Sequence, residues 1–247
     1  MLLLCLDSSA VASVAVVETG SAGGAQTPRI LAQWDTQDTR SHAEVLSPAI
    51  EQVITESGIH SRQLDAVLVG TGPGPFTGLR AGLATARALG FGWGLPVYGM
   101  PSLHAVAHDV ATTPEHRRPS EFVVATDARR RELYWAVYQT CTVGSYTARA
   151  ELSDGPFVGS PADVADLPVY GYGASLYAQQ LTRPVLEPVT GARLTTPASQ
   201  WQPCAAALGL AAGVLLSCGG ALSTDTTPLY LRESDAKVPA FRKKATS

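Results

Sequence analysis

Two aspartates end apolar runs at places where a phosphate or metal site can be built. Leu2 to Leu6 leads into Asp7-Ser8-Ser9, and Glu121 to Thr126 leads into Asp127. Set across a cleft, such a pair can hold a divalent cation or act as a base. The favoured alternative is that each carboxylate caps its own turn, which aspartate does well. Arg129-Arg130-Arg131 follows Asp127. Arginine suits the bidentate geometry of phosphate, although such runs are usually solvated loops. His104 and His108 have the His-x-x-x-His spacing that suits a metal on a helix face. With no third ligand identifiable, they read as ordinary helix-surface histidines. Ser8, Ser9 and Thr77 have no evident histidine–acid partner, so no nucleophilic triad is expected. His42, at a helix start, reads as packing near a cap.

The stretch Gly70 to Arg80, Gly-Thr-Gly-Pro-Gly-Pro-Phe-Thr-Gly-Leu-Arg, is the most distinctive in the chain. It follows a short buried strand (Asp65 to Val69) and precedes a helix (Leu79 to Gly92). Glycine allows positive φ and close backbone approach, and proline stiffens the rest. Thr77 is a candidate cap, and such a helix start is a ready anion site. The Walker pattern fails because there is no lysine. Gly-x-Gly-x-x-Gly fails because Gly72 and Gly74 are followed by Thr77. A tight structural loop is the plain alternative.

The elements that must position these residues begin with three strands, Leu2 to Leu6, Ala12 to Glu18 and Ile30 to Asp35, in a meander. Ser41 and Glu44 suggest a capping box for a helix reaching Ser57-Gly58, with Leu46, Ile50, Val53 and Ile54 in one stripe. In the helix after the glycine stretch, Gly78, Gly82, Ala86 and Gly90 recur at every fourth position, a groove that another helix can approach closely. This is either internal packing or part of a surface that both helices present to another protein. Val97 to Gly99 is a strand, and Ser102 caps a helix to Val110. Thr112 to Ser120 is the candidate boundary. The second half then restarts the first, strand-Asp-turn-strand, which suggests a duplicated α/β unit. Strands at Tyr146 to Leu152 and Pro168 to Tyr172, helices ending at Leu167 and spanning Ser175 to Leu181 and Gln200 to Ser217, and a basic, disordered tail from Lys237 complete the expected order.

Composition limits the function. At 247 residues with net charge −3, there is no general basic field to recruit nucleic acid. The four cysteines show no Cys-x-x-Cys spacing and read as reduced thiols of a cytosolic protein. No signal peptide or membrane span is expected.

The residues quoted above, with Ser-His-Ala-Glu-Val-Leu-x-Pro at 41 to 48, Asp-Ala-Arg-x-x-Glu-Leu-Tyr at 127 to 134 and Pro-Leu-Tyr-Leu-Arg at 228 to 232, resemble the bacterial TsaB (YeaZ) family of the tRNA threonylcarbamoyladenosine system. The resemblance is dense over 2 to 140 and thin from 141 to 227. Pro75 stands where the family usually has serine. The resemblance implies an α/β, duplicated actin-like (ribonuclease H-like) fold with an N-terminal lobe at 1–115 and a C-terminal lobe at 116–247. It implies a cytoplasmic, non-catalytic activator of the threonylcarbamoyltransferase TsaD, joined by the ATPase TsaE, homodimeric when alone and meeting tRNA only through the complex. The partner faces would be Leu46, Ile50 and Val53 on one helix and Gly78, Gly82, Leu83, Ala86 and Gly90 on the next. The family loop would comprise Gly72, Gly74, Phe76, Thr77, Gly78 and Arg80. Asp7, Ser8, Asp127 and Arg129 would mark a vestigial nucleotide site. No metal and no cofactor of its own are implied, with ATP possible at complex interfaces. TsaD's histidine pair would fall at Ser102 and Val106, two residues out of register with His104 and His108. An autonomous actin-like phosphotransferase or hydrolase is the alternative, weakened by the absence of Asp-x-Gly after the first strand.

Overall fold

The apolar run of β1 (Leu2–Asp7) lacks alternation because both of its faces are covered. The computed structural model describes residues 1–20, 27–36, 42–143, 147–189 and 196–232. β1 is central in a sheet with β2 (Ser13–Glu18), β3 (Arg29–Asp35), β4 (Ala66–Gly70) and β5 (Val97–Met100), ordered β3-β2-β1-β4-β5. Only β2 runs against the others. On one face α1 (His42–Ser57) and α2 (Phe76–Trp93) lie side by side, burying Leu46, Val53, Leu79 and Leu83 against Leu4, Leu6, Val14 and Val67.

α3 (Leu103–Ala111) follows β5 but sends Leu103, Val106 and Val110 into a second sheet. That sheet contains β6 (Glu121–Asp127), β7 (Leu133–Val143), β8 (Thr147–Gly159) and β9 (Val169–Tyr170), ordered β8-β7-β6-β9, again with its second strand alone reversed. Pro184 bridges in parallel to Val169, where the first sheet has its fifth strand. α4 (Tyr172–Leu176) covers one face of this sheet through Ala174. α5 (Ala205–Ser217) returns to the first sheet and covers Leu3, Cys5, Ala15 and Val17. Each half therefore contributes a helix to the other's core.

The second half departs from expectation in detail. α4 is shorter than the helix read at Ser175 to Leu181, and Val164 to Leu167 is not helical. β8 runs on to Gly159, and α5 starts at Ala205 because a single tight turn, Ala198–Gln200, precedes it. Ser102 takes the cap position of α3, as expected, but makes no side-chain cap bond, because its hydroxyl accepts from Gly72 N–H instead. The readings on Ser41, on the side chain of His42 and on the tail from Lys237 lie outside the described residues.

Candidate functional site

The glycine stretch is held from three directions. Gly72 N–H donates to Ser102 Oγ at 3.0 Å, and Ser102 N–H returns a bond to the Gly72 carbonyl at 2.7 Å. Ser8 Oγ donates to the Gly78 carbonyl at 2.7 Å. A Cβ on Gly74 would fall 2.5 Å from the Ser9 carbonyl oxygen, so the loop lies directly on the turn after β1. Thr77 is exposed and caps nothing: Pro75 takes the cap position of α2, with no side-chain bond there. That corrects the capping expectation at this helix start.

Both aspartates tie off their own turns. Asp7 is fully buried, and its Oδ1 accepts from Ser9 N–H at 2.8 Å and Ser9 Oγ at 2.7 Å. Asp127 Oδ1 accepts from Arg129 N–H at 2.7 Å, and its Oδ2 lies 3.2 Å from Arg129 Nη1. Arg129, Arg130 and Arg131 have φ of 60°, 56° and 64°. The left-handed conformation costs an L-residue roughly 1–2 kcal/mol, so three in succession is no ordinary solvated loop. The turn is held by Ala128 N–H to the Glu132 carbonyl at 3.0 Å and by Arg232, which donates to the Ala128 carbonyl at 2.9 Å and pairs with the Glu132 carboxylate.

Arg232 belongs to a strap that crosses both lobes. Gly99 pairs with Ser223, Arg87 Nη2 donates to the Thr226 carbonyl at 2.8 Å, and Leu229 N–H donates to the Thr71 carbonyl at 2.8 Å. Tyr230 rests on Phe76 with ring centroids 4.9 Å apart and accepts from Arg80 Nε at 3.1 Å. The Arg80 guanidinium sits 3.5 Å over the Phe76 ring. The strap, the glycine loop and the arginine turn enclose a cavity of about 430 Å³. Tyr134 lines it, and burial, then the Asp127 carboxylate, push its hydroxyl pKa up, keeping the proton on.

Of the expected site residues, Gly74, Phe76 and Arg129 line this cavity, and Arg80 flanks it through Phe76 and Tyr230. Gly72, Thr77, Gly78, Asp7, Ser8 and Asp127 do not line it. Arg130, read in the sequence as part of the arginine run, lines it too; the expectation missed Tyr134, Tyr230 and Arg232 as site residues, and the return of a recognisable motif at 228 to 232 was the available signal. The expected partner faces need a larger correction. Leu46, Ile50, Val53, Gly78, Gly82, Leu83, Ala86 and Gly90 are all buried in the chain's own core. A Cβ on Gly82 would meet Ser8 Oγ at 2.3 Å, and one on Gly90 would meet Val97 at 2.3 Å. The small-residue groove therefore receives the chain's own first sheet and its turn. Where the two helices meet, the half-buried Ile54, Leu89 and Trp93 line a groove of about 420 Å³ that Ile50, of the expected partner faces, also reaches. Phe91, beyond it, is 93 % exposed.

The histidines are not on the surface either. His108 is buried, and His104 is half-buried with Nδ1 at 3.1 Å from Tyr138 Oη. Burial lowers the His104 pKa to about 4. Both line a second cavity of about 420 Å³, with Arg149 and Glu151 beside an apolar wall. Among the described residues no three His, Cys, Asp or Glu side chains gather as a metal site, and no helix is long and apolar enough to cross a membrane.

Two sheets of one strand order that exchange helices define an actin-like fold. A family model described as "TsaD: tRNA N6-adenosine threonylcarbamoyltransferase" matches residues 30–183. The fold is that of YeaZ from Pseudomonas aeruginosa, with a TM-score of 0.70 at 27% identity, covering 93% of this chain and 99% of that one. The chain belongs to the TsaB (YeaZ) family. An uncharacterized protein of Mycobacterium tuberculosis (strain H37Rv) is 39% identical over 209 residues, 84% of this chain and 83% of that protein. The tRNA threonylcarbamoyladenosine biosynthesis protein TsaB of Escherichia coli (strain K12) is 34% identical over 100 residues, 40% of this chain and 42% of its own.

Proposed function

We propose that this chain serves tRNA threonylcarbamoyladenosine biosynthesis as a cytoplasmic, non-catalytic partner that docks a TsaD-like subunit through the outward side of α1 and α2. The observation that carries this reading is the almost fully exposed Phe91 on the solvent face of α2, flanked there by the small exposed Ala84 and Ala88, while the half-buried Ile54, Leu89 and Trp93 line a separate groove where α1 and α2 meet. A large aromatic ring left in water on a helix face of otherwise small residues suits an association surface. The non-catalytic part is supported by the turn after β1. Its aspartate is buried and bonded to Ser9, and the glycine loop lies against Ser9 where a phosphate would have to enter. In this reading the same surface pairs two copies when TsaD is absent, a TsaE-like ATPase joins the pair, and tRNA is met through the complex. Nucleotide enters at complex interfaces.

Size-exclusion chromatography with light scattering, with and without the TsaD-like subunit of the same organism, tests it. A one-to-one complex is expected, lost in Ala88→Arg and Phe91→Asp while their circular dichroism stays unchanged. Normal association by both variants, or ATP turnover by the chain alone, would overturn the proposal.

A further inference from the structure

We infer that the cavity between α3, α5 and β8 binds a free α-amino acid with an apolar side chain, its carboxylate on Arg149, its ammonium on Glu151 and its side chain against Val214, Leu215 and Leu222. The inference is independent of the docking surface on α1 and α2, and the cavity shares no lining residue with the one at the arginine turn.

Charge balance is the first argument. Among the described residues that line this cavity, one carries a fixed positive charge and one a fixed negative charge, Arg149 and Glu151. They stand two residues apart on the edge strand β8, so both project to one side of the sheet. A bond from the Cys141 thiol, then Arg149, holds the Glu151 carboxyl below its usual range, so it stays charged. His104, lining the cavity from α3, is neutral because burial lowers its pKa to about 4. Its Nδ1 faces Tyr138 Oη, which leaves Nε2 to meet a ligand. A ligand of single charge would leave one of the two charged side chains without a partner, whereas a zwitterion pairs both.

The second argument is how loosely the charged pair is held. Arg149 bonds Glu151 through Nη2, while its buried Nε has no partner. A buried donor without an acceptor is costly, and guanidinium offers a carboxylate two parallel bonds. The two side chains are 28% and 45% exposed, and such pairs contribute little to stability. Opening the pair onto the two ends of a zwitterion therefore loses little and gives the guanidinium a fuller set of acceptors.

The third argument is the apolar wall. Val214 and Leu215 of α5 line the same cavity with Leu222 and Met100. Leu215 and Leu222 are only half-buried in the chain itself, so a ligand's apolar side chain gains by covering them. About 420 Å³ lies within the ordinary range of small-molecule sites, roughly 300–1,000 Å³. α5 covers the first sheet and β8 edges the second, so a ligand held by both ties the lobes together. Binding should then raise the Tm of the whole chain.

Isothermal titration and thermal unfolding of the full-length chain test the site. The probes are leucine and phenylalanine, each beside its analogues lacking the ammonium or the carboxylate, and glycine. Leucine or phenylalanine is expected to bind with a Kd below about 1 mM and to raise the Tm. Loss of the ammonium, the carboxylate or the side chain should each weaken binding at least about tenfold. Glu151→Gln should erase the preference over the analogue without ammonium, and Arg149→Gln the preference over the analogue without carboxylate, both with unchanged circular dichroism. The carboxylate analogue binding as tightly as the amino acid, with Glu151→Gln without effect, would overturn the inference in favour of a simple carboxylate site. Glycine binding as tightly as leucine and phenylalanine would overturn the role of the apolar wall. No binding of any probe at about 10 mM would overturn the inference outright.

Discussion

His104 shows how far a single residue's behaviour depends on what lies beneath it. On one helix the His-x-x-x-His spacing invites a metal reading or a surface reading. The structure gives neither, because α3 is packed between two cores. The Tyr138 hydroxyl meets the His104 ring at Nδ1, with the two rings edge to face. Burial lowers the pKa from 6.5 to about 4, so the imidazole is neutral in the folded chain. The unfolded chain takes up a proton near pH 6.5 that the folded chain refuses until about pH 4. Stability from this residue is therefore complete above pH 6.5 and falls as pH drops from 6.5 toward 4, by up to ~3 kcal/mol. Urea unfolding at pH 7.0, 5.5 and 4.5 should show this slope, and His104→Gln should flatten it. An unchanged slope in the variant would assign the acid sensitivity to other groups. No sequence signal carried this, since spacing along a helix does not say which elements close over it.

At the scale of elements, α2 has two faces with opposite consequences. The recurrence of Gly78, Gly82, Ala86 and Gly90 was legible and meant what small residues mean, that something approaches closely. What approaches was not legible: the neighbours at Gly82 and Gly90 are Ser8 and Val97 of the same chain. Gly82→Leu should therefore act on the fold, at about 1–3 kcal/mol for overpacking, seen as a lowered Tm. Ala88→Arg, on the exposed side, should leave Tm in place. Equal Tm values for Gly82→Leu and the unmodified chain would mean that Ser8 and its turn yield freely. The same asymmetry of legibility holds for the strap. Its extended character at Pro228 to Arg232 could be read locally. Its partners could not, because Tyr230 meets Arg80 and Arg232 meets Ala128 across 150 and 104 residues of chain.

For the whole molecule, the duplication was visible in the two strand-Asp-turn-strand runs, and the strand orders agree with it. The exchange of helices was not visible, because an apolar helix such as α5 carries no mark of which sheet it will cover. It has consequences for the division proposed at 115/116. A fragment of residues 1–115 keeps the first sheet with α1 and α2 but loses α5. Leu3, Cys5, Ala15 and Val17 would then face water, as would the α3 residues Leu103, Val106 and Val110 that belong in the second sheet's core. Burying each such aliphatic side chain is worth roughly 1.5–3 kcal/mol. For the two leucines and three valines among them that comes to roughly 8–15 kcal/mol, as large as the 5–15 kcal/mol by which whole domains are stable. The fragment should accordingly bind an apolar dye, lose its near-UV dichroism and unfold without a cooperative transition. The full chain should lose near-UV and far-UV signals together in one transition. Should 1–115 alone melt cooperatively without binding dye, α5 would be a cover laid on a finished lobe; the shared cores argue instead that neither sheet is complete until the last helix has crossed back.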